Sequence, residues 1–310
     1  MSAITVGILG GGRWGYALGR AAVNAGNRAI VCTRRDGDPC PEGVEVTRDL
    51  HVLGARATLI VLAVPSTVAR PVATALGEHV SGAHYIVHAV RGLSSEGLLP
   101  ISTVVRQETP VKRVGALAGP VLASDLLEDR PSVLAVGSRY PEVLECTQRA
   151  FGSASLRVSV SDDLLGTEWA SALVGALLVG VGYGRVAGVR EPLLAGVMVR
   201  ALREVCAVGV AAGAEERTFY GLAGIGDLMA AMAQNDARPE ALFGERIARG
   251  EHIRAVREDM DVRLEPIELV PRVLAFAKAR GITMPVFSAL DAIMSGKATV
   301  EQITAQLMRP

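Results

Sequence analysis

Ile4-Thr5-Val6-Gly7-Ile8-Leu9-Gly10-Gly11-Gly12-Arg13-Trp14-Gly15 decides the fold of the first half of the chain. A β-forming apolar run enters a G-x-G-x-x-G turn, and helical patterning follows from Tyr16 to Ala25. That spacing suits a pyrophosphate. Gly10 permits the tight turn, Gly12 lets the backbone approach the phosphates, and Gly15 lets helix pack closely on strand. The helix N-terminus then offers free N–H groups and a favourable dipole to the anion. Gly10, Gly12, Arg13, Trp14 and Gly15 are therefore candidate dinucleotide-binding residues. A glycine-rich turn alone is a weak signal, but here a second strand, Ala29–Thr33, follows the helix in the required order.

Outward from this turn, short apolar runs recur at Thr58–Val64, Tyr85–His88, Val114–Leu117, Ser132–Val136 and Leu156–Val160. Helical patterns at Val68–Leu76 and Glu142–Ala150 lie between them. Apolar strands alternating with helices predict a mostly parallel sheet covered on both faces, an α/β doubly wound domain of Rossmann type. Beyond Val160 strand-like runs fade and long Ala-, Leu- and Val-rich helical stretches take over. The expected boundary lies near Ser159–Asp163, where Ser161, Asp162 and Asp163 offer a helix N-cap. The domains are then a dinucleotide-binding domain over 1–160 and an all-α domain over 161–310.

Composition narrows the function classes. Half of the 310 residues are hydrophobic, 21% are charged, and 32 basic residues balance 32 acidic ones. This balance gives no reason to expect a nucleic-acid or membrane-surface partner. The four cysteines form no C-x-x-C pair, so neither a metal site nor a disulfide framework is expected, and a reducing cytoplasm suits them. The longest uncharged run, Trp169 to Gly184, is shorter than the roughly 20 apolar residues that span a bilayer. It reads as a buried core helix.

The end of the second strand bears on cofactor choice. NAD-binding turns place an acidic residue about 20 residues beyond the glycines, whereas this chain has Thr33-Arg34-Arg35. Guanidinium groups offer bidentate donors to a 2′-phosphate. Arg34 and Arg35 thus favour NADP over NAD, although Asp36 follows at once and fits the acidic role in a shifted loop.

Further motifs carry a resemblance over essentially the whole chain. They are Ala63-Val64-Pro65-Ser66, Arg91-Gly92-Leu93, Ala118-Gly119-Pro120, the stretch Thr218–Leu228 containing Gly224-Ile225-Gly226-Asp227, Phe243-Gly244 and Gly281–Pro285. Together with the glycine turn they resemble the bacterial NAD(P)-dependent glycerol-3-phosphate dehydrogenase family. The resemblance implies reduction of dihydroxyacetone phosphate with a nicotinamide cofactor, in a homodimer. It implies cofactor contacts from Pro65, Arg91, Ala123 and Glu265. It also implies substrate contacts from Gly119, Arg238 and position 174, with Arg91 and Asp227 as catalytic groups.

Hydride delivery to a ketone leaves an alkoxide, which needs a proton donor and a nearby cation. The family supplies both from a lysine on the first long helix of the second domain, in an Ala-Leu-Lys-Asn-like segment. Here that segment is Ala172-Leu173-Val174-Gly175, so valine stands at the lysine position. A second family lysine falls at Arg91, a threonine at Ala231, a serine at Ala118, and an Arg-Asn pair at Arg238-Pro239. Two functions fit this pattern. One is an oxidoreductase acting on a small carbonyl or imine with a different proton donor. The other is a catalytically inactive NAD(P)-binding sensor or partner-binding module. His88, on the strand leading to Arg91, is a conceivable replacement acid, and more simply a satisfied strand histidine. Asp227 has an equally simple alternative as a helix cap.

Overall fold

The structure is a computed structural model that describes residues 3–34, 39–233, 238–260, 265–298 and 302. The chain divides into two compact units, Met1–Glu168 and Trp169–Pro310.

The first unit runs β1 (Thr5–Leu9), α1 (Arg13–Asn24), β2 (Arg28–Cys32), β3 (Val44–Thr47), α2 (Leu50–Arg56), β4 (Leu59–Leu62), α3 (Ser66–Gly77) and β5 (Tyr85–His88). It continues with α4 (Ile101–Glu108), β6 (Val114–Ala118), α5 (Ala123–Leu127), β7 (Ser132–Gly137), α6 (Pro141–Phe151) and β8 (Leu156–Ser161). The eight strands form one sheet in the order β3-β2-β1-β4-β5-β6-β7-β8, and only the β6–β7 pair is antiparallel.

Each central strand is buried on both faces because successive side chains alternate between two cores. Leu59 and Val61 join Val6, Ile8 and Val87 under α1 and α6, while Ile60 and Leu62 join Ile30 and Ile86 under α2, α3 and α4. Full burial of one such side chain contributes about 1.5–3 kcal/mol, so a one-residue register slip would exchange the two cores without relieving either. The edge strand β3 was not expected from the sequence. Its Val-Glu-Val-Thr pattern is half exposed, and Val31 of β2 pairs with Val46 to hold it.

The second unit is helical. It takes up α7 (Leu164–Val186) after that helix's first turn, then α8 (Glu191–Ala211), α9 (Glu216–Phe219), a π-helical turn over Leu222–Gly226 and α10 (Asp227–Ala233). α11 (Pro239–Ala248), α12 (Ile253–Asp259), α13 (Glu265–Lys278) and α14 (Pro285–Met294) follow. α7 has 23 residues and is apolar enough to cross a membrane by length and composition alone, but 89% of its most apolar window is buried in protein. A helix that is hydrophobic all round belongs in a core. It packs against α11 at backbone distance, since a Cβ on Gly182 would lie 2.0 Å from the Ala241 carbonyl oxygen and one on Gly244 2.0 Å from that of Val179.

The sheet ends at Ser161, and the first unit also keeps the opening turn of α7. Asp163 caps that turn through a 2.8 Å bond from the Gly166 amide, as the sequence predicts for this cluster.

Glu204 of α8 is buried and accepts bonds from the Val286 and Phe287 amides, at 2.9 and 3.1 Å, at the N-terminus of α14. Those amides have no partner within their own helix, so a carboxyl group there satisfies them. Burial nevertheless raises the Glu204 carboxyl above its ordinary value, outweighing the two amides and Arg200, which pull it down. A carboxyl whose folded value is raised contributes stability that is complete below its unfolded value and is lost as pH rises through its folded value. Glu204→Gln is therefore expected to lose less stability than the parent between pH 5 and pH 8, measured by urea unfolding at each pH. Equal losses in the two proteins would contradict this account.

Candidate functional site

In the first unit β1, β2, β4, β5 and β6 all run parallel, so their carboxyl ends share one edge of the sheet. Between β1 and β4 the strand order reverses, which is where open α/β sheets bind ligands. The candidates of this unit lie along that edge. Gly10–Gly15 follow β1, Thr33 and Arg34 follow β2, Pro65 follows β4, Arg91 follows β5, and Gly119 and Ala123 follow β6. Arg35 lies outside the described residues, as does Asp36.

The three motif glycines meet different demands. Gly10 has φ +127°, and a Cβ there would lie 2.2 Å from the Ala63 carbonyl oxygen. A Cβ on Gly15 would lie 1.8 Å from the Gly10 carbonyl oxygen. Both are fixed by the protein itself. Gly12, the N-cap of α1, is exposed and would have nothing within 4 Å of its Cβ. Its lack of a side chain leaves open a cradle above the α1 N-terminus, which fits the close approach of a pyrophosphate. Arg13 and Arg34 are exposed, Trp14 is half-buried, and Pro65 is exposed at the start of α3.

Arg91 is half-buried and Gly119 has φ +106° at the end of β6. His88, three residues before Arg91, is only 1% exposed. Its Nε2 lies 2.9 Å from Glu168 Oε1, so it is the satisfied strand histidine of the simpler expectation. Sequence reading missed this partner because 80 residues separate the two. Glu168 also accepts bonds from the Ser102 amide at 2.8 Å and the Ser102 hydroxyl at 2.7 Å.

In the second unit, Val174 and Leu173 on α7 have no exposed surface, and Ala231 on α10 is 1% exposed. Asp227 follows the π-helical turn and opens α10. Such widened turns are frequent at functional sites. Asp227 is fully buried, and Arg238 Nη1 donates to its Oδ1 at 2.5 Å. Arg238 is thus a buried counterion of Asp227. Glu265 is half-buried at the start of α13. An apolar cavity of about 80 Å³, bordered by Leu177, Tyr183, Leu194, Met198 and Leu290, contains none of the candidate residues. Among the described residues no group of three or more His, Cys, Asp or Glu side chains is placed to hold a metal ion.

Two outcomes follow from this geometry. Gly12→Ala should leave the melting temperature nearly unchanged and weaken NADPH binding by tenfold or more, whereas Gly15→Ala should unfold the domain or lower its melting temperature sharply. Equal effects of the two on melting would show that Gly12 also serves folding. Removing one partner of a buried ion pair costs about 3–5 kcal/mol. Arg238→Ala should lower unfolding free energy by that order in denaturant titration, and a loss below about 1 kcal/mol would mean that Asp227 does not depend on it.

Comparison with known proteins places these features. Residues 35–144 match the family model described as NAD-dependent glycerol-3-phosphate dehydrogenase N-terminus, and residues 163–305 match its C-terminus. A glycerol-3-phosphate dehydrogenase [NAD(P)+] of Salinibacter ruber is 30% identical, covering 97% of this chain and 93% of its own. One from Mycobacterium avium is 29% identical over 95% of this chain and 91% of its own. The solved glycerol-3-phosphate dehydrogenase of Coxiella burnetii superposes with a TM-score of 0.89 at 21% identity, covering 99% of both chains. A ketopantoate reductase of Ralstonia eutropha shares the fold at a TM-score of 0.61 and 18% identity, covering 98% of this chain and all of its own. With both family models matched in order along one chain, this protein belongs to the NAD-dependent glycerol-3-phosphate dehydrogenase family.

Proposed function

We propose that this chain is an NAD(P)-dependent oxidoreductase, favouring NADP, that acts on a small carbonyl or imine substrate without a lysine proton donor. One contrast carries the reading. The Gly12 cradle is open for a dinucleotide, while position 174 holds a fully buried valine.

Bound NADP(H) would supply the hydride. The glycine turn and the α1 N-terminus hold the pyrophosphate, and exposed Arg34 pairs with the 2′-phosphate. Arg91 would contact the bound dinucleotide and, on a carbonyl substrate, stabilise negative charge on its oxygen. Its guanidinium stays protonated in proteins, so it orients and stabilises but does not shuttle a proton. Asp227, held by Arg238, orients a polar group of the substrate. Val174 neither donates a proton nor carries charge. A substrate that arrives as a preformed iminium needs no acid at that point, which reconciles the valine with turnover. Reduction of dihydroxyacetone phosphate is the family form of the reaction. A homodimer in the cytoplasm belongs to the same proposal.

A non-catalytic dinucleotide sensor is the second reading. It is favoured by Val174, Gly175 and Ala231 standing together where the family has lysine, asparagine and threonine.

The test is titration with NADPH and NADH, then NADPH oxidation at high protein concentration with and without dihydroxyacetone phosphate. NADPH should bind more tightly than NADH. Dihydroxyacetone phosphate turnover should fall about 10²–10⁴-fold below that of a lysine-bearing relative, the usual contribution of a positioned acid. Binding without turnover on any carbonyl or imine substrate favours the sensor, and failure to bind either dinucleotide sinks both readings.

A further inference from the structure

We infer that His88 is a positioning residue, whose ring ties the turn carrying Arg91 to a buried carboxylate at the start of α7. The inference rests on the role proposed above for Arg91.

The argument begins with Glu168. Its carboxylate is buried, and an ionised carboxylate only accepts hydrogen bonds. The Ser102 amide and His88 Nε2 meet Oε1 at 2.8 and 2.9 Å, and the Ser102 hydroxyl meets Oε2 at 2.7 Å. A lone pair on Nε2 would face a lone pair of the carboxylate, so Nε2 carries the proton. In a neutral ring the other nitrogen is then an acceptor. His88 Nδ1 has the Val90 amide 3.4 Å away, a long bond that points toward the ring. Geometry and proton inventory therefore agree on one tautomer.

Position gives this arrangement its use. β5 ends at His88 and Arg91 follows three residues later. Along that turn the Ala89 amide is bonded to the Leu62 carbonyl at 2.8 Å, and the Val90 amide to the His88 ring. These bonds set the path of the backbone just before Arg91. Glu168 in turn fixes the ring from α7, and Ser102 fixes Glu168 from α4. Because Glu168 lies between serine and histidine, the trio is not arranged to activate the serine as a nucleophile. It is a brace, buried throughout, that ends at the Arg91 turn.

Two substitutions separate the two bonds. His88→Asn places an amide oxygen near the position of Nδ1 and gives up the donor to Glu168. His88→Gln extends an amide nitrogen toward Glu168 and gives up the acceptor for the Val90 amide. NADPH affinity by fluorescence titration, thermal midpoint and long-range ¹H–¹⁵N NMR of the His88 ring are measured, with Arg91→Ala as the reference. The NMR spectrum of the parent should show Nε2 protonated and Nδ1 not. His88→Gln should keep the midpoint and weaken NADPH binding about tenfold, in the direction of Arg91→Ala. His88→Asn should lower the midpoint and bind NADPH nearly as the parent does. Should the Asn variant not fold, the Gln variant and the NMR spectrum decide. A proton on Nδ1, or parent-like affinity in His88→Gln while Arg91→Ala is impaired, overturns the positioning role alone. Parent-like affinity in Arg91→Ala itself overturns the role of Arg91, and the inference falls with it.

Discussion

Between Gly10 and Gly15 the chain turns so tightly that α1 rests directly on the end of β1, an interior strand of an eight-stranded sheet. A methyl group on either glycine would overlap a backbone oxygen, Ala63 in one case and Gly10 in the other. Backbone atoms cannot give way as a flexible side chain can. This constraint fixes where α1 points, and so fixes which amides face outward above the Gly12 cradle. The remaining candidates of the first unit are arranged along the same edge, each at the end of a strand whose register is set by two-sided burial. The chemistry of the site thus rests on a steric condition that involves no ligand.

The second unit shows a different kind of condition. Its central helix, α7, is buried on every side and makes backbone-distance contact with α11. A lysine at position 174 would have to place its ammonium where valine now has no exposed surface. Asp227 meanwhile has Arg238 as a buried counterion. The Asp227 charge is compensated within the protein itself, and the residue at 174 is part of the buried packing.

Most of the sheet was legible in the sequence because two-sided burial writes continuous apolar runs. Tyr85–His88 matches its strand to the residue, and the other six expected strands are off by one or two residues at their ends. β3 was not legible, since a half-exposed edge strand of four residues has neither a long apolar run nor a turn signal of its own. Short helices such as α2 and α5 lack enough turns to display a period. In the site, local motifs were readable and distant partnerships were not. The glycine turn sits in twelve consecutive residues, whereas Glu168 meets Ser102 across 66 residues and His88 across 80. Asp227 and Arg238 were each singled out, but only the fold reveals that one compensates the other.

Folding holds Gly10 and Gly15 in place whether or not anything is ever bound. A side chain at Gly12 would meet nothing within 4 Å, so folding alone does not require glycine there. On the proposed reading, one chain holds an open cradle in its first unit and a buried valine at position 174 in its second.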